Sequence, residues 1–203
     1  MRASELGVQA AGLTPVSWLM RQTPDFRFHR FRHLARQPAR SWQNPQSMSQ
    51  EKFMREAIRL AEDGMRSGRG GPFGCVIVRR GEIIGRGHNR VTSTNDPTAH
   101  AEIVAIRDAC AIRETFQLSD CELFTSCEPC PMCLSAIYWA RIPTVYYGNT
   151  RADAARIGFD DDFIYQEVSL RPDQRAVKMQ LFLRDEAQRA FNEWQNKVDK
   201  IPY

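Results

Sequence analysis

The chain lacks any run of 18 consecutive apolar residues, which excludes a transmembrane helix. Its first 47 residues lack cysteine and nearly lack acid: seven arginines (Arg2, Arg21, Arg27, Arg30, Arg32, Arg36, Arg40) stand against Glu5 and Asp25 alone. They also lack a sustained helical or strand period, and Pro15, Pro24, Pro38 and Pro45 interrupt them, a composition unsuited to building a core. The stretch from Gly7 to Met20 is too polar, and too broken by Pro15, for a signal-peptide core. Without a secretory signal, the six cysteines argue for metal chemistry in a reducing, cytoplasmic compartment and against a disulfide frame. Residues 1–47 carry a balance of +5 and the remainder −1 (21 basic against 22 acidic), so the formal charge of +4 belongs to the leading segment. Basicity confined to a tail is weak support for a nucleic-acid partner. Residues 1–47 are therefore expected to be a disordered or non-native extension. An organelle transit peptide and a basic nucleic-acid arm are the alternatives.

What remains is long enough for one packed domain, expected over 48–203. Phe53, Ala57, Leu60, Ala61 and Gly64 recur at helical spacing with charges between them. Gly70-Gly71-Pro72 breaks the chain, a strand follows over Phe73–Val78, and Arg80-Gly81 turns it into another around Ile83-Ile84. Ala99–Cys110 reads as a helix apolar almost all round. Cys121–Ser126 reads as a strand, Pro131–Arg141 as a helix and Thr144–Tyr147 as a strand. Helices and strands are expected to alternate from there to a closing amphipathic helix over Asp185–Val198. The order predicts an α/β fold, a three-layer α/β/α sandwich with a mixed central sheet.

Two short segments carry chemistry: His100-Ala101-Glu102 and Pro129-Cys130-Pro131-Met132-Cys133. A catalytic zinc takes three protein ligands and keeps one position open, and thiolates with a neutral imidazole suit it. Cys130 and Cys133 share one face of a helix's first turn, where the positive helix end favours thiolates. Glu102, two positions past His100, is placed beside the metal but outside its shell, where a carboxylate can carry the proton of an activated water. The H-x-E…P-C-x-x-C pattern is the known signature of zinc deaminases. The alternative is a closed structural cage in which Cys127 completes four ligands, although such a cage has no use for Glu102. Cys75, Cys110 and Cys121 are expected only to pack.

From about Gln50 to its end, the chain resembles the bacterial guanine deaminases of the cytidine deaminase-like superfamily. The resemblance rests on Gly70-Gly-Pro-Phe-Gly74, Asn89, Asn95-Asp-Pro-Thr-Ala-His-Ala-Glu102 and Thr125-Ser-Cys-Glu-Pro-Cys-Pro-Met-Cys133. It continues through Ala136-Ile-Tyr-Trp-Ala-Arg141, Gly158-Phe-Asp-Asp161, Phe163-Ile-Tyr165, Trp194 and Tyr203, with Ser135 where that family more often has glycine. The resemblance implies hydrolysis of guanine to xanthine and ammonia, with one zinc per chain on His100, Cys130 and Cys133. It implies Glu102 as proton carrier, Asp161 as second proton acceptor, Asn89 as hydrogen-bond partner of the base, and Phe73 and Trp139 beside its rings. It further implies a homodimer whose segment from about Asp185 to Tyr203 crosses to the partner and closes its pocket with Tyr203. Taken without the resemblance, Asn89 could equally be a turn residue, Asp160–Asp162 a solvated acidic run, and Trp139 and Phe73 core. The rival functions are a guanosine deaminase, a tRNA adenosine deaminase and, outside catalysis, a zinc-stabilised nucleic-acid-binding module. The expected substrate is a small purine base, with no nucleic-acid or membrane partner.

Overall fold

The computed structural model describes residues 45–202, with side chains from Gln50 onward. All but the last three residues of the expected extension 1–47, and Tyr203, lie outside them. In chain order the elements are α1 (Pro45–Arg66), β1 (Gly74–Arg79), β2 (Glu82–His88), the single-turn α2 (Val91–Thr94), α3 (Ala101–Arg113), β3 (Glu122–Cys127), α4 (Pro131–Trp139), β4 (Thr144–Asn149), α5 (Arg151–Arg156), α6 (Asp162–Ser169), a 3-10 turn (Pro172–Gln174) and α7 (Arg184–Asn196).

The strands form one mixed sheet in the order β2-β1-β3-β4. β1 runs antiparallel to both neighbours and β3 parallel to β4. The strand period of two divides the core between the two faces. Cys75, Ile77 and Leu123 pack with Ala101, Ala105 and Ala109 of α3 and Ile137 of α4. Val76, Val78 and Phe124 pack on the other face with Phe53 of α1. Phe124 lies between Phe53, at 5.4 Å, and the stacked ring of Tyr146, at 4.6 Å. A strand covered on both sides must be apolar throughout, which is why Cys75-Val-Ile-Val78 does not alternate.

Two glycines decide how closely α3 approaches the sheet. A Cβ at Gly87 would lie 2.1 Å from the Ala101 carbonyl oxygen, and one at Gly85 would lie 2.5 Å from that of Ala105. The helix therefore rests on bare backbone. Arg86 N–H, between the two glycines, donates to Asp108 Oδ2 at 2.9 Å and fixes the same helix lengthwise.

The expected alternation of helices and strands beyond β4 is wrong: α5, α6, the 3-10 turn and α7 follow, with no further strand among the described residues. Residues 178–183 have the apolar content of a strand but stand exposed, with Leu181 83% and Phe182 82% accessible. A strand needs a ladder partner for its backbone groups, and pattern alone supplies none. α3 is also less uniformly buried than its composition suggests: Ile103, Ala105 and Ala109 are buried, Val104 and Ile106 half-buried, and Ile112 exposed.

Candidate active site

Two helix N-termini meet at one end of the sheet. His100 is the N-cap residue of α3 and Cys130 that of α4, both in extended backbone, with Pro131 opening α4. His100 Nδ1 lies 3.5 Å from Cys130 Sγ and 3.6 Å from Cys133 Sγ. All three donor atoms fall within 4.8 Å of one another. A tetrahedral zinc with Zn–S about 2.3 Å and Zn–N about 2.0 Å sets neighbouring nitrogen and sulfur ligands about 3.5 Å apart. Two sulfurs at equal range from one imidazole nitrogen cannot both be served by its single lone pair, whereas a shared cation serves all three. The donor set fits zinc.

The electrostatics agree. Cys130 is drawn down to about 4, chiefly by the Cys133 thiol hydrogen-bonded to its sulfur and then by His100, against the cost of burial. Cys133 is held up as the protonated member of that pair. Both sit in the first turn of α4, whose positive end favours the anion.

Cys127 does not close the cage. Its thiol faces the Thr150 carbonyl oxygen at 3.7 Å, and burial, reinforced by the charge of Glu102, pushes its pKa up to about 11. Among the described residues the cluster therefore numbers three donors, the count of a catalytic rather than a structural zinc site. Cys75 and Cys121 are buried free thiols in the core and Cys110 a half-buried one at its edge, as packing requires.

Glu102 occupies the first turn of α3 and is 6% exposed. Burial is the main force raising its pKa, to about 7, while hydrogen bonds from its own backbone N–H and from Cys133 work against the rise. It is the buried carboxyl beside the cluster and not a member of it. Asp161, half-buried, is the N-cap residue of α6; burial and then the charge of Cys130 raise its pKa. His100 feels both carboxylates.

Asn89, also 6% exposed, directly follows β2. Its Oδ1 accepts from Gly71 N–H at 3.3 Å and from Val91 N–H at 3.2 Å, which leaves the amide N–H groups for another partner. Phe73, just ahead of β1, is half-buried. The next residue, Gly74, donates its N–H to Ser126 Oγ at 3.0 Å, tying this loop to the end of β3. Phe159 meets Phe73 edge-on at 4.9 Å between centroids.

The structure thus brings together His100, Glu102, Cys130 and Cys133, with Asp161 in electrostatic reach. Trp139 sits at the opposite end of α4 from Cys130 and is 65% exposed. Sequence reasoning gave no part to Phe159 and Ser126, although both lie in stretches that carry the resemblance, because their partners Phe73 and Gly74 are remote in sequence.

Comparison with known proteins agrees with this geometry. Residues 47–149 match the cytidine and deoxycytidylate deaminase zinc-binding region. A guanine deaminase of Bacillus subtilis is 49% identical over 156 residues, 77% of this chain and all of that protein. Its X-ray structure superposes with a TM-score of 0.73 over 75% of this chain and 98% of that one. A guanine deaminase from Nitrosomonas europaea, 28% identical, gives 0.52 over 78% of this chain and 80% of that one. A tRNA-specific adenosine deaminase of Streptococcus pyogenes is 49% identical, but over 47% of this chain and 60% of that protein. The chain belongs to the cytidine and deoxycytidylate deaminase zinc-binding family, as a relative of the Bacillus subtilis guanine deaminase over that protein's whole length.

Proposed function

We propose that the protein hydrolyses guanine to xanthine and ammonia, and that His100, Cys130 and Cys133 hold the zinc that the reaction uses. The observation that carries this reading is a buried carboxyl, Glu102, beside a cluster of three donors and not four. Zinc at such a site supplies Lewis acidity, which brings the pKa of a water down to about 7.

The chain's own residues do the rest. Glu102, poised near neutrality, takes the water's proton and passes it to the ring nitrogen next to C2, which makes that carbon electrophilic. The water oxygen bonds to C2, Asp161 accepts its second proton on the amino-group side and hands it to the amino nitrogen, and the C2–N bond breaks to release ammonia and leave C2 as a carbonyl. Asn89 offers its amide N–H groups to a purine oxygen, and they are already oriented because two backbone donors hold its Oδ1. Phe73 packs against the base, steadied by the edge of Phe159. The place beside the rings that the resemblance implies for Trp139 is not carried into this reading, because Trp139 lies at the far end of α4 from Cys130. Residues 48–203 form the catalytic unit, and residues 1–47 are dispensable to it.

The active species in this reading is a homodimer. Leu181, Leu183, Phe191 and Trp194 are exposed on and before α7, and that helix has no buried residue. Tyr138 and Tyr147 are exposed as well. A second copy, its 185–203 segment crossed over so that Tyr203 enters the neighbouring pocket, covers such surface and excludes water from the reaction.

The test is a spectrophotometric assay against guanine, guanosine, adenine and cytosine, with ammonia measured in parallel. Guanine alone should be turned over. Preferential turnover of guanosine or adenine would replace this reading with one of its rivals.

A further inference from the structure

α6 reaches the metal loop through one side chain. The Tyr165 hydroxyl donates to the Pro129 carbonyl oxygen at 3.1 Å, a contact spanning 36 residues of sequence. Pro129 is the residue immediately before Cys130. Tyr165 N–H also donates to the Asp161 carbonyl oxygen at 3.3 Å, so the two residues share one helical turn. The Tyr165 ring carries the Arg151 guanidinium at 5.0 Å from its centroid, and Arg151 N–H donates to Glu128 Oε2 at 3.0 Å. One direct tether, from Tyr165 to Pro129, thus joins α6 to the loop that ends in Cys130, and an indirect one runs from Glu128 to the Arg151 backbone, whose guanidinium covers the Tyr165 ring and pairs with Asp162 at 3.8 Å. Packing adds little, because α6 has no buried residue of its own.

We propose that Tyr165 is a positioning residue for Asp161: its hydroxyl, anchored on the Pro129 carbonyl, sets the first turn of α6 and hence the distance of the Asp161 carboxylate from the reacting base. The inference rests on the guanine-deaminase reading. Without the anchor, Asp161 samples positions from which it cannot relay a proton to the amino nitrogen, while the metal ligands stay in place because α3 and α4 hold them.

The experiment is a double-mutant cycle in the full chain, with Tyr165→Phe, Asp161→Ala and the pair compared for kcat, KM and zinc content. Hydrogen–deuterium exchange is read over residues 127–133 and 159–169. Tyr165→Phe keeps the ring and its guanidinium contact and removes only the hydroxyl. It should lower kcat about 3- to 10-fold, as loss of one hydrogen bond implies, with KM and zinc unchanged. Exchange should rise over 159–169 and not over 127–133. In the Asp161→Ala background the same change should cost less than about twofold, since coupled residues are non-additive. An equal loss in both backgrounds, loss of zinc, faster exchange over 127–133, or no change in exchange over 159–169 would each overturn the inference. If the unaltered protein fails to turn over guanine, the functional reading itself falls; if it succeeds and Tyr165→Phe equals it, only the inference does.

Discussion

At the scale of single residues, the division of labour among three cysteines and one histidine is sharp. Cys130 and Cys133 face His100, whereas Cys127, three residues before Cys130, turns its thiol to a backbone carbonyl. Cys130→Ala should therefore lose bound zinc, while Cys127→Ala should keep one per chain, both read by metal analysis of purified protein. Full occupancy in the first variant and loss in the second would reverse the assignment. These ligands and Glu102 were legible in the sequence because a helix start, a CxxC step and an H-x-E step leave little conformational choice. Asn89 was legible as a turn residue and as a base-binding residue in equal measure, because what its side chain holds depends on Gly71, 18 residues away. Tyr165 was not legible as a contact at all: spacing within α6 says nothing about Pro129.

At the scale of elements, the site exists because α3 can lie flat on β2. Gly87→Ala would drive a methyl group into the Ala101 carbonyl, one residue from His100. Overpacking of this kind costs about 1–3 kcal/mol, and chemical denaturation should show a lower midpoint and an unfolding free energy reduced by that amount. Zinc affinity should fall with it, because the helix that carries His100 and Glu102 must shift. A variant with wild-type midpoint and affinity would show that the helix is not so constrained. Apart from the single-turn α2, the helices and strands up to β4 were legible because each has its own period and its own breaker. Beyond Asn149 the reading failed for a physical reason. Residues 178–183 look strand-like, but pairing is a property of a partner and not of a segment.

At the scale of the whole molecule, the exposed apolar stripe before and along α7 is the feature that a single chain leaves unexplained. Sedimentation at micromolar concentration should give the mass of a dimer, and removal of Ile201–Tyr203 should leave that dimer folded and zinc-loaded with severely reduced guanine turnover. Monomers, or full activity after the truncation, would contradict the crossed arrangement.

The central claim is that Glu102 carries the proton in a zinc-dependent hydrolysis of guanine. Xanthine formation from guanine by the unaltered protein and by Glu102→Gln, at matched zinc content, tests it most directly. Xanthine and ammonia should form in equal amounts with the first, and at least about 10²-fold more slowly with the second, its zinc retained. A zinc-loaded Glu102→Gln protein working at the unaltered rate would contradict it.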